Sequence, residues 1–156
     1  MAMKILKYFL YVIVALFFLI QFVPSDLPEN NDDISNDIML AEQAPENVKL
    51  ILNKACYDCH SNQTKYPWYS YVAPVSWLIA KDTRLGREEL NFSEWKELSK
   101  RKKIKVLNEM EEEIEEKKMP LDIYTVIHKD AILSNEEIET ITNWTTSVSN
   151  KLLGGE

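Results

Sequence analysis

Only three glycines occur in the 156 residues, which argues against a loop-rich or many-turned β architecture. Basic charge is short as well. Eighteen lysines and arginines against 25 acids leave a formal net charge of −7, so the positive footprint needed for nucleic acid is missing. Histidine is limited to His60 and His128, and cysteine to Cys56 and Cys59. No internal repeat is visible. What is present is 46% hydrophobic and 28% charged, the composition of a globular protein with length for one domain and an appendage.

Both cysteines and one of the histidines fall in one stretch, Cys56-Tyr57-Asp58-Cys59-His60. Cys-x-x-Cys-His is the attachment signature of c-type haem. The spacing has a chemical reason. Two thiols separated by two residues lie on one helical turn, where each can form a thioether to one vinyl group at a haem edge. The next residue is carried under the ring, so the His60 imidazole can bind the iron as proximal ligand. Three other readings use the same residues. A thioredoxin-like pair belongs beside a βαβ pattern, and the flanks here look helical. A structural zinc site needs about four protein ligands, and only His128 adds an imidazole. A structural disulfide leaves the histidine behind it unexplained.

Residues 1–23 carry the clearest topological signal. Lys4 and Lys7 precede an apolar run over residues 8–23 that only Gln21 interrupts. Its length lies between a signal-peptide core and a full spanning helix of about 20 residues. The chain continues Gln21-Phe22-Val23-Pro24-Ser25-Asp26, with no small-x-small cleavage site and no cysteine for lipid attachment. An uncleaved signal anchor, a transmembrane helix, is favoured over a cleaved signal. Lysines before the run and acids after it place the rest of the chain outside the cytoplasm. The expected location is the bacterial inner membrane, with the domain facing the periplasm.

Residues 24–44 hold Pro24, Pro28 and a run of Asn and Asp, and read as a flexible linker. The domain proper is expected over residues 45–153. Val48, Ile51, Leu52 and Ala55 repeat at helical spacing and lead into Cys56. Residues 61–73, rich in tyrosine and broken by Pro67, read as an irregular loop, either a haem-pocket wall or ordinary core packing. A short helix follows from Val75 towards Arg84. Arg84 and Arg87 are candidates to pair with a haem propionate, or plain surface salt-bridge residues. Ser93 reads as the N-cap of a helix reaching about Lys118, with a break near Ser99 and a buried stripe at Ile104, Leu107 and Ile114. Its basic and acidic blocks are a solvated face or a docking patch for a redox partner. Ser134 and Glu137 form a capping box, and Ile138, Ile141, Trp144 and Val148 line the helix it opens.

Met119-Pro120 breaks the long helix. A thioether on a proline-stiffened turn suits a sixth iron ligand, while a gap-filling core methionine is the plainer reading. His128 is the rival ligand. Met110, inside the charged helix, and Met39 are weaker candidates.

These stretches resemble a small haem-binding domain family of bacterial exported proteins. The resemblance is carried by residues 55–61 (ACYDCHS), 66–70 (YPWYS), 73–79 (APVSWLI), Gly86-Arg87, 91–95 (NFSEW), Met119-Pro120 and 124–128 (YTVIH). It implies haem binding through Cys56, Cys59 and His60 and names no reaction. The terminal helix is also similar to that of monohaem class I cytochromes c. That likeness implies an all-α, cytochrome c-like fold with its first and last helices packed near the edge of one covalent haem c.

The expected function is one-electron transfer, because an iron held by His60 and Met119 has no open position. On that reading the chain is not an enzyme. The alternative is a peroxidase-like enzyme or a gas or redox sensor, which needs a labile sixth ligand. The redox partner is not identified by the sequence. The membrane is expected to be reached through the N-terminal segment, and no nucleic acid is expected.

Overall fold

The computed structural model describes residues 2–154, and every regular element among them is helical. Helix α1 (Ala2–Ile20) is apolar on all sides beyond Lys7. Its window Met3–Ile20 has a mean hydropathy of 2.2 and none of it is buried. An unburied helix of this kind near the N-terminus is a candidate membrane anchor or signal sequence. Its 19 residues span about 28 Å, close to the ~30 Å of a bilayer's hydrocarbon.

The segment after α1 is packed on the domain, which corrects its reading as a flexible linker over residues 24–44. Gln21 exchanges two hydrogen bonds with the backbone of Ala73, at 3.1 and 2.9 Å. Trp77 Nε1 donates to the Val23 carbonyl at 3.2 Å. Tyr66 donates to the Pro28 carbonyl at 2.8 Å, and the Asn30 side chain pairs in both directions with the Thr64 backbone. The strap ends in α2 (Ile38–Ala41), where Ile38 is fully buried and Ala44 joins the core. Apolar periodicity is absent from most of this segment because side-chain-to-backbone hydrogen bonds hold it instead.

Helix α3 (Glu46–Ala55) buries Val48, Ile51, Leu52 and Ala55 and runs into the single turn α4 (Tyr57–His60). A 3-10 turn (Trp68–Tyr71) leads to α5 (Val75–Glu89), longer than expected, and a second 3-10 stretch (Phe92–Glu97) precedes α6 (Lys100–Glu115). Ser99, not Ser93, caps α6. The Asn91 side chain caps the 3-10 stretch by accepting from Ser93 N, and the Ser93 hydroxyl is engaged by Asn62 N. The one-turn α7 (Asp122–Thr125) and a short 3-10 turn lead to α8 (Asn135–Gly154). Ser134 and Glu137 make the two reciprocal bonds of a capping box at its start. The first and last helices of the domain, α3 and α8, pack together, and Lys54 bridges to Glu137 at 2.6 Å. That ammonium, with the Ser134 amide, holds the Glu137 carboxyl below its ordinary value. Helix α6 lies on α8, and Leu107, Ile141 and Trp144 share one core with Leu52, Phe92 and Trp95.

Asp37 is the polar exception in that core. It caps α2 through Met39 N, and its Oδ1 accepts the Tyr57 hydroxyl at 2.8 Å, but Oδ2 is buried without a partner. Burial raises its carboxyl above the usual 3.8 against those two bonds. The native state therefore binds this proton more tightly than the unfolded chain. The cost of the buried charge is absent below the unfolded value and grows as pH rises through the folded one. Asn caps nearly as well as Asp, so Asp37→Asn should be less stable relative to the parent at low pH and gain on it as pH rises. Urea midpoints of both chains across that range are the check, and parallel pH profiles would contradict the assignment.

Candidate functional site

Cys56 ends α3 and starts α4. Its amide donates to Leu52 O, and its carbonyl accepts from both Cys59 N at 3.1 Å and His60 N at 2.9 Å. The turn sends side chains two ways. Tyr57 enters the core, stacked on Phe92 with ring centroids 5.3 Å apart. Cys56, Asp58, Cys59 and His60 line one cavity of about 510 Å³, within the range of small-molecule and cofactor pockets.

Helix α5 presses against this turn at Gly86. A Cβ there would stand 2.7 Å from the Cys59 carbonyl oxygen, so the approach requires glycine. It brings the C-terminal end of α5 beside His60, whose Nδ1 lies 3.0 Å from the Leu90 carbonyl. A carbonyl can only accept, so Nδ1 carries the hydrogen and Nε2 keeps the lone pair. Burial pushes the imidazole below its ordinary 6.5, partly opposed by that carbonyl, so the ring is neutral at neutral pH.

Both cysteines are free. Burial, and then the neighbouring Cys59, push the Cys56 thiol up to about 12; burial with Asp58 and Asp82 pushes Cys59 up to about 11. A thioredoxin-like pair needs a lowered thiol, and this environment does the opposite. Among the described residues no three or more His, Cys, Asp or Glu converge as a metal cage, which leaves the zinc reading without ligands.

Another wall comes from α6 through Val106, Met110 and Ile114, and the turn after it brings Met119, Pro120 and Leu121 to the same cavity. Lys117 ends α6 with φ 57°. The Lys117 amide donates to Ile114 O, and those of Lys118 and Met119 to Glu113 O, so the chain reverses in a Schellman-type close. Two thioethers thus reach the cavity. The sequence reading ranked Met110 low for its charged helix, although the spacing Val106, Met110, Ile114 marks it as part of the buried stripe.

Other expectations take different places. His128 does not line the cavity. Its Nε2 is 2.8 Å from the Tyr69 hydroxyl, and its ring stacks on Tyr124 at 4.1 Å and 6°. Tyr124 is the one that lines the cavity, donating to Asp58 Oδ2 at 2.8 Å. No residue of 61–73 lines it either, so the aromatic loop is not the pocket wall. Arg84 binds the Asp26 carbonyl, and Arg87 binds Glu29 O, Asn30 and Thr64. Both arginines hold the strap, and among the described residues no lysine or arginine lines the cavity, while Asp58, Asp82, Glu89, Glu109 and Glu113 do.

The model of a haem-binding domain matches residues 15–147. The chain belongs to the haem-binding domain family. No curated protein and no solved structure matches it. Haem is accordingly the cofactor, and the cavity fits it: mostly apolar walls, a neutral imidazole with a free lone pair, two thioethers and two adjacent thiols border one space. The family match begins inside α1 and includes the strap.

Because the haem-binding domain sets its thiol turn against Gly86, Gly86→Ala should lower stability by about 1–3 kcal/mol, the usual cost of overpacking. Gly154→Ala, with nothing within 4 Å, should be close to neutral. Urea titrations of the two variants test this. Equal midpoints would mean that the α4–α5 approach is not tight.

Proposed function

We propose that this chain is an exported, membrane-anchored c-type haem protein that carries one electron at a time. The supporting observation is that Cys56, Cys59, His60 and Met119 border one cavity. Bound there, haem supplies a one-electron iron couple. Cys56 and Cys59 would hold it through thioethers. His60 would offer Nε2 as the proximal ligand, its ring kept in register by the Leu90 carbonyl. Met119 would offer its thioether to the iron from its turn after α6. With His60 and Met119 both engaged, no site would be left for a substrate at the iron, and the group would supply electron transfer.

Two features set the potential in opposite directions. Methionine–histidine ligation and apolar walls raise it, while the five acids bordering the cavity favour the more positive oxidised iron. The same acids suit a redox partner with a basic face. On this reading α1 spans the bacterial inner membrane with Lys4 and Lys7 inside and the domain in the periplasm.

Protein made with c-type maturation should keep its haem on denaturation, and mass spectrometry should find the sum of the two masses. A bare polypeptide mass rejects covalent attachment. Met119→Ala should open the iron to carbon monoxide and lower the potential. His128→Ala should leave both as they are, and Met110→Ala should leave the iron closed to carbon monoxide. If Met110→Ala opens the iron instead, the ligand assignment moves to α6. If the unsubstituted protein binds carbon monoxide rapidly, the ligand-binding reading, peroxidase-like or sensory, displaces the carrier.

A further inference from the structure

Residues 66–80 contain no charged side chain. In a chain that is 28% charged, about four would be expected over that length. The stretch covers the Trp68–Tyr71 turn and the start of α5, and its aromatics are not in the core. Trp68 is 77% exposed and Tyr71 66%, with Val75 and Leu78 each 38% exposed. Neither the cavity nor any helix covers them. In water such a patch is a liability.

The patch also has a fixed neighbour. Gln21, directly after α1, is bonded in both directions to Ala73, and Trp77 is bonded to the Val23 carbonyl. The uncharged stretch is therefore pinned to the point where α1 ends. Phe22 at that point is itself 85% exposed. Tyrosine and tryptophan concentrate at the level of lipid headgroups, where their rings are half in apolar surroundings and their polar ends stay wet. Lys65 and Lys81, both exposed, bracket the stretch in the chain, and ammonium groups beside such a patch suit lipid phosphates.

We propose that Trp68, Tyr71, Val75 and Leu78 form a second membrane contact that lies in the headgroup region beside the exit of α1. This rests on α1 spanning the bilayer and adds to it that the domain is seated on the lipid instead of swinging above it. From there the strap follows α5 away from the anchor. Val23 meets Trp77, Asp26 meets Arg84, and Glu29 meets Arg87. The end of α5 that holds His60 lies about 18 Å farther along the helix than Trp77, at ~1.5 Å rise per residue.

The test uses the full chain in phosphatidylcholine vesicles, with one residue at a time replaced by the photoreactive p-benzoylphenylalanine. Positions 68 and 71 probe the patch, position 19 probes α1, and position 143, exposed on α8, is the control. Illumination should add the mass of one phosphatidylcholine at positions 68, 71 and 19 and none at 143. Lipid adducts at 19 without any at 68 or 71 overturn the seated domain and leave the anchor standing. Adducts at none of these positions overturn both. Equal adduct formation at 143 also overturns the proposal, because the labelling would then reflect no defined orientation. Folding of each variant is checked by its haem absorption, and Trp68→Phe with Tyr71→Phe serves as a second pair that keeps the patch apolar and should keep position 75 cross-linking to lipid.

Discussion

The approach of α5 to the thiol turn at Gly86 is the contact on which the rest of the site depends. With no Cβ at that position the helix backbone can lie against the Cys59 carbonyl, where a methyl group would stand at 2.7 Å. The consequence appears one turn later. The last residues of α5 arrive beside His60, and the Leu90 carbonyl fixes the imidazole through Nδ1. The chain then turns through Asn91 into the 3-10 stretch, which sets Phe92 under Tyr57 and buries Trp95. One missing side chain thus places the thiol turn, the His60 imidazole and part of the core.

A second constraint is polar. Between Gln21 and Asp37 the chain buries almost nothing apolar, yet it is held by amides, carbonyls and two guanidinium groups. Each bond of this kind contributes only about 0.5–1.5 kcal/mol net, so the strap depends on their number. At Ile38 apolar burial takes over. The Trp95 indole then donates to Glu42 at 2.7 Å, which closes α2 onto the domain.

Much of this was legible from the chain alone, and the misreadings have physical causes. The Cys-x-x-Cys-His spacing is local, so Cys56, Cys59 and His60 come together on one turn whatever the tertiary fold. Helices α3 and α8 carry an apolar stripe and, for α8, a capping box, and both signals survive without context. The strap misled because Pro, Asn and Asp mark a mobile tether and a hydrogen-bonded extended segment equally well. The spacing of Arg84 and Arg87, one helical turn apart, was the available hint that α5 presents a row of donors to a neighbouring chain. The aromatic loop misled for a different reason: composition says that rings will seek an apolar surface but not which one. The place of Met110 in the cavity wall went unread because the charge of α6 hides its 3.6-residue stripe.

The two ends of α5 connect the cavity to α1. Its first turns meet the exit of α1 through Ala73 and Trp77, and its last turn holds His60 through Leu90. A 21-residue tether would reach as far as about 70 Å when extended, and a cofactor on it would sample a wide range of heights above the bilayer. A strap hydrogen-bonded along α5 removes that freedom. If α1 spans the membrane, the cavity stays at a nearly constant height and meets partners of matching height by diffusion in the plane. Partners in the aqueous phase must then approach the acid-bordered side of the cavity, where opposite charge aids encounter and like charge opposes it. The geometry of the mount and the charge around the cavity would therefore select the partner together, one by position and the other by sign.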